Sequence, residues 1–129
     1  MQVIYCRNNH PLSLFVRWFT WSRWSHCGIV LDGDVIHATA AQGVVCQPLT
    51  EFVRQYPTYQ ICTMPGTAHL AIDQLGKPYD WGGVLGIRWG KWDDHNRWFC
   101  SELVAYCSGL FRPNRRNRVT PEHCWMVSK

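Results

Sequence analysis

Three residues of this 129-residue chain have the types and placement to carry out nucleophilic chemistry together: Cys100, His26 and His37. Cys100 stands where a Gly- and Trp-rich stretch gives way to a helical stripe of Leu103, Val104, Cys107, Leu110 and Phe111. A cysteine at a helix start faces unpaired N–H groups and the positive end of the helix dipole, which favour the thiolate. The same N–H groups are placed to stabilise an oxyanion forming beside the sulfur. The alternative is a cysteine that is merely buried at the start of a helix. A nucleophilic thiol also needs a base, usually histidine, and a third group that orients the base.

The chain has six histidines, and a predicted hairpin selects two of them. Residues 27–31 and 34–38 are β-rich runs flanking Asp32-Gly33, a strong turn signal. With Asp32 and Gly33 at the centre of the turn, Leu31 pairs with Asp34 and Gly28 faces His37. His26, two residues from Gly28, then lies on the same face as His37 and diagonal to it. A slip of one residue would put the two rings on opposite faces. Cys27 must point away from His26, which argues against it as the nucleophile of this base; its replacement is expected to matter far less than that of Cys100. Tyr79 offers a hydroxyl near the site, and Gly82, Gly83 and Gly86 permit close backbone approach by a substrate.

These residues need a frame. Residues 2–6, 44–47 and 59–63 read as further strands, and residues 48–53 as a short helix with Thr50 as a possible cap. Residues 67–75 read as a helix stopped by Gly76, residues 76–98 as a loop, and Thr120-Pro121-Glu122 as a capped helix start. In residues 12–24, Leu14, Trp18, Trp21 and Trp24 fall near helical spacing. Two readings are open: an amphipathic helix packed on the core, or a Trp-rich lip over a groove or lipid surface through Trp18, Trp21 and Trp24.

Composition narrows the classes. At 47% hydrophobic and 17% charged, the chain is globular and of single-domain size, so residues 1–129 are taken as one domain. Its seven cysteines are odd in number and scattered, unlike a secreted disulfide framework. Net charge is +4, with Arg112, Arg115, Arg116 and Arg118 close together; this reads as a solvated basic loop or as a phosphate- or membrane-facing patch, and no specific nucleic-acid partner is implied. No N-terminal basic-then-apolar pattern marks a signal peptide, and no apolar run approaches the roughly 18 residues of a spanning helix. The default compartment is the cytoplasm, with delivery elsewhere left to another protein. Cys6 with His10, and His123-Cys124, are ligand-type pairs, but without a repeated C-x-x-C no metal site is expected.

Two blocks carry a family resemblance. Gly76-Lys77-Pro78-Tyr79-Asp80-Trp81-Gly82-Gly83 followed by Phe99-Cys100-Ser101-Glu102-Leu103-Val104 resembles the nucleophile region of NlpC-type papain-like cysteine amidases. Ser25-His26-Cys27-Gly28-Ile29-Val30 with Val35-Ile36-His37-Ala38 resembles their histidine block. Both histidines precede the cysteine here, the reverse of the usual order. The chain therefore resembles the circularly permuted branch, which includes YiiX-like and lecithin:retinol acyltransferase-like proteins.

The resemblance implies an α+β papain-like fold, with an antiparallel sheet packed against the nucleophile helix and further helices. It implies Cys100 as nucleophile, His26 as base, His37 as orienting member and Tyr79 at the active-site tyrosine position. Gly82 and Gly83 fall in the substrate-binding stretch. No cofactor or metal is implied. The implied substrate is a peptide or acyl group bound in a groove, first a peptide bond of bacterial cell-wall peptidoglycan. Permuted relatives also act on lipid amides and esters by hydrolysis or acyl transfer. A third class is a non-catalytic accessory protein of bacterial or phage type that keeps the fold and works beside a carrier or tail protein.

Overall fold

A computed structural model of the chain describes residues 1–81 and 97–129. Gly82, Gly83 and Gly86, expected near the substrate, lie outside the described residues. Strand β1 (Gln2–Arg7) is followed by helix α1 (Pro11–Thr20), strands β2 (His26–Leu31), β3 (Asp34–Thr39) and β4 (Gly43–Pro48), helix α2 (Leu49–Gln55) and strand β5 (Thr58–Thr63). A 3-10 helix (Ala68–Gln74), helix α3 (Cys100–Ser108), a second 3-10 helix (Pro113–Arg118) and helix α4 (Pro121–Met126) complete the order. The five strands form one antiparallel sheet in the order β4-β3-β2-β1-β5.

The period-two alternation of the strands gives the sheet two covered faces. Tyr5, Cys27, Ile29, Ile36 and Ala38 point to one side, where they pack with Leu103, Val104 and Cys107 of α3. Ile4, Cys6 and Val35 point to the other, under Phe52 of α2. Strand β1 is sandwiched between them, with Val3 through Cys6 wholly buried.

The β2–β3 turn places both Asp32 (φ 51°) and Gly33 (φ 87°) in the left-handed region, the geometry of a type I′ turn. Leu31 pairs with Asp34 and Ile29 with Ile36, so Gly28 comes opposite His37. There is no room for a side chain at Gly28: a Cβ would lie 2.7 Å from Val35 Cγ1 and 3.0 Å from the Cβ of His37.

Several elements depart from the sequence expectations. Helix α1 starts on Pro11, with His10 Nδ1 accepting from the Leu12 N–H at 3.2 Å, and stops at Trp21, whose φ of 54° breaks the helix before residue 24. It does not pack an apolar face on the core: Ser13 is its only buried residue. Trp24, expected on a lip with Trp18 and Trp21, is buried at 5% exposure against Tyr5, because the chain turns inward at Ser22 toward β2. Helix α2 begins at Leu49 after Pro48, so Thr50 is not its cap. Helix α3 ends at Ser108, before Leu110 and Phe111, where Gly109 takes φ 67°. Residues 68–74 are 3-10 rather than α, with Ala71 and Gln74 buried three apart, the spacing that aligns side chains in a 3-10 turn.

Candidate active site

Cys100 is the first residue of α3 and is 7% exposed. The preceding residue, Phe99, is extended and supplies no side-chain cap, which leaves first-turn N–H groups available at the sulfur's end of the helix. Three features hold the helix start in place. The Ser101 hydroxyl donates to the Val119 carbonyl at 2.6 Å, and the Cys124 thiol lies 3.7 Å from the Ser101 carbonyl. Leu103, Val104, Ala105 and Cys107 of α3 pack into the core formed with the sheet.

His26 opens β2, and from this strand end its ring helps to hold the Cys100 thiol in its charged form. Nε2 of His26 lies 2.8 Å from Nδ1 of His37, with the rings edge to face. Nε2 of His37 lies 3.1 Å from Oε1 of Gln47 on the next strand. An amide oxygen only accepts, so His37 carries its proton on Nε2 and presents a lone pair at Nδ1. His26 therefore donates through Nε2, which leaves its Nδ1 for the sulfur. Phe52 and Tyr56 close over the rings: Tyr56 stacks on His26 at 5.3 Å and Phe52 meets His37 edge-on at 4.9 Å.

The electrostatics follow from this packing. Burial, with the charge on His26 adding to it, lowers the pKa of His37 from 6.5 to about 3, so the ring stays neutral and can accept. Cys100 is held well below the ordinary thiol range. The largest cause is a hydrogen bond from the Cys27 thiol; burial opposes it, while the charge and hydrogen bond of His26 and the Cys27 backbone N–H reinforce it. Burial pushes Cys27 well above the thiol range, so it stays protonated and serves as the donor of the pair. Cys27 thus bears on the site more than its alternation on β2 implied. It does face away from the His26 ring, but that side is where α3 brings Cys100.

Tyr79 is placed by neighbouring backbone. The N–H of Val44 donates to the Lys77 carbonyl at 2.9 Å and that of Gly76 to the Val44 carbonyl at 2.9 Å, tying the segment to β4. Tyr79 bridges Trp98, whose N–H donates to the Pro78 carbonyl at 3.1 Å, and this links it to the approach to Cys100. Its phenol is kept protonated by burial, with Cys100 the next cause, so it can donate to an anion near the sulfur.

A cavity of about 250 Å³ opens beside this cluster, bordered by Leu12 and Val16 of α1, by Ser25 and His26, and by Tyr56 and Tyr79. The Ser13 hydroxyl, 2.7 Å from that of Ser25, fastens α1 to the wall next to His26. The residues of the alternative metal pairs have structural partners instead: His10 caps α1, and His123 closes a capping box with Thr120 on α4. Among the described residues no three His, Cys, Asp or Glu side chains converge as a metal set.

Gln47 and Tyr56 were not singled out in the sequence. Gln47 stands opposite Val35, two positions from His37, so the β3–β4 register would have found it. No comparable signal marks Tyr56.

The model of a family described as permuted papain-like amidase enzymes, YaeF/YiiX, the C92 family, matches residues 2–110, and the chain belongs to that family. No curated protein matches it. The fold is accordingly the α+β permuted papain-like one, and the chain is a cysteine amidase or peptidase, a hydrolase.

Proposed function

We propose that this permuted papain-like amidase works through a thioacyl enzyme on Cys100, with His26 as proton carrier and His37 and Gln47 as positioning residues. The observation that carries the reading is the hydrogen-bonded series His26–His37–Gln47, at 2.8 and 3.1 Å, with His26 among the groups that hold the Cys100 thiol low. The Cys100 thiolate attacks an acyl carbonyl, and the carbonyl π electrons move to oxygen. The N–H groups at the start of α3 and the Tyr79 hydroxyl face the resulting oxyanion. The intermediate collapses, the C–N bond breaks, and His26 gives its proton to the leaving amine. His26, now neutral, takes a proton from water. The hydroxide formed attacks the thioester, and release of the acid restores the thiolate and the imidazolium. Neutral His37 accepts from His26 Nε2 throughout, which keeps Nδ1 aimed at the sulfur.

The first substrate reading is a peptide amide of bacterial cell-wall peptidoglycan. The cavity supports it with polar side chains, Asn8, Ser13, Ser25 and Thr39, suited to an extended peptide. A second reading, a lipid amide or ester, is favoured by the apolar side chains Leu12 and Val16 at the same cavity and by the outward-facing aromatics of α1. Incubating one preparation with peptidoglycan fragments and with acyl-amide and acyl-ester lipids separates them. New carboxyl ends in one set alone, with an equal amount of amine from amides or alcohol from esters, absent with Cys100→Ala, are expected. Equal turnover by Cys100→Ala would overturn the mechanism.

A further inference from the structure

Helix α1 wears its apolar residues on the outside. Leu12, Leu14 and Phe15 are about half exposed, Trp18 is 73% exposed, and Trp21 at the helix end is 92% exposed. Surface helices ordinarily turn such residues inward, so an outward aromatic face marks a contact. The patch is continuous, since Phe15 stacks on Phe19 at 5.8 Å and lies 6.4 Å from Trp18.

The charge around it is predominantly basic. Helix α1 contains Arg17 and no acid, Arg23 follows it, and exposed Arg118 shares a cleft with Trp18, Trp21 and His123. Glu122 of α4 is already engaged by the Arg23 N–H at 2.8 Å and the Ser22 hydroxyl at 3.4 Å. Indoles beside arginines suit the boundary between acyl chains and anionic headgroups. A second copy docking through the same face would set arginine against arginine, so the charge pattern favours an anionic partner.

We propose that α1 docks the protein on an anionic lipid surface, with Phe15, Trp18 and Trp21 in the interface and Arg23 and Arg118 at the level of the phosphates. Leu12 and Val16 of the same helix border the cavity that reaches His26. Docking therefore brings the mouth of the groove to the surface. The docking itself stands apart from the acyl chemistry proposed above.

The test mixes the full chain with phosphatidylcholine vesicles, with and without phosphatidylglycerol, and follows co-sedimentation and tryptophan emission. The expected result is binding to the anionic vesicles with a blue shift, weakened by salt. Arg23→Gln and Arg118→Gln should each weaken it roughly fivefold, the equivalent of about 1 kcal/mol per charge near an anionic surface. The double change Trp18→Ser with Trp21→Ser should abolish binding while leaving the unfolding midpoint unchanged, since both side chains are exposed. The proposal is overturned if the wild type ignores anionic vesicles or if the double variant binds as well as the wild type. It is equally overturned if lipid-free sedimentation shows self-association that the double variant removes. Cys100→Ala should keep full vesicle binding. Binding without turnover by the wild type would sink the catalytic reading alone, and turnover without binding the docking alone.

Discussion

Replacing Gln47 by Leu cuts the relay at its far end, two hydrogen bonds from His26. Gln47 Oε1 accepts from His37 Nε2 at 3.1 Å, and His37 Nδ1 accepts from His26 Nε2 at 2.8 Å. With Gln47 in place, only the His37 tautomer protonated on Nε2 satisfies both contacts. His37 is 1% exposed, so its ring has little access to solvent in exchange. A neutral hydrogen bond contributes about 0.5–1.5 kcal/mol net. Taking about 1 kcal/mol from the charged form of His26 raises the pH midpoint of Cys100 thiolate formation by about 0.7 unit. The same loss in the transition state lowers kcat/KM about fivefold. The assay is the pH profile of Cys100 alkylation by iodoacetamide, read by peptide mass, which needs no knowledge of the substrate. Gln47→Glu keeps an acceptor and should hold the wild-type midpoint or move it lower. If the Leu profile superposes on wild type while the Glu variant is the impaired one, Gln47 does not accept from His37 and the tautomer argument fails.

Three further outcomes are expected. His37 has a folded pKa of about 3 against an ordinary 6.5, so below pH 6.5 the unfolded chain takes up a proton that the folded ring refuses. The stability it contributes is complete above pH 6.5 and is lost as pH falls toward 3, by at most roughly 5 kcal/mol at about 1.4 kcal/mol per unit. Denaturant midpoints across that window should fall for wild type and flatten in His37→Gln; equal slopes would remove His37 as the cause. Gly28→Ala should cost about 1–3 kcal/mol by overpacking and reduce turnover, because the added carbon meets Val35 and the His37 Cβ. Thermal unfolding checks the first part and kcat/KM the second. Cys27→Ala should raise the alkylation midpoint of Cys100 and Cys27→Ser should partly restore it, since Ser keeps a donor; an unmoved midpoint in both would contradict the Cys27 assignment.

What could be read in the sequence was local. The type I′ turn at Asp32-Gly33 sets the β2–β3 register within a few residues, so the shared face of His26 and His37 follows from pairing arithmetic. The register of β4 depends on residues 40–42, which carry no comparable turn signal, and Gln47 was out of reach for that reason. Periodicity in α1 shows that apolar residues share a face but not which way the face points. Only tertiary placement turned Trp18 and Trp21 outward and Trp24 inward. Cys27 shows the same limit. Its alternation along β2 is legible, but the helix arriving on that side comes from more than 70 residues later in the chain, and nothing near Cys27 announces it.

The central claim is that Cys100 is the nucleophile paired with His26, and an activated acyl ester tests it most directly. Mixed briefly with the protein at neutral pH, p-nitrophenyl acetate should release a burst of nitrophenol and leave one acetyl group on the peptide bearing Cys100. The burst should be absent in Cys100→Ala and severely slowed in His26→Ala. Acetyl on exposed Cys46 instead, with Cys100 unmodified and the burst surviving Cys100→Ala, would contradict the account.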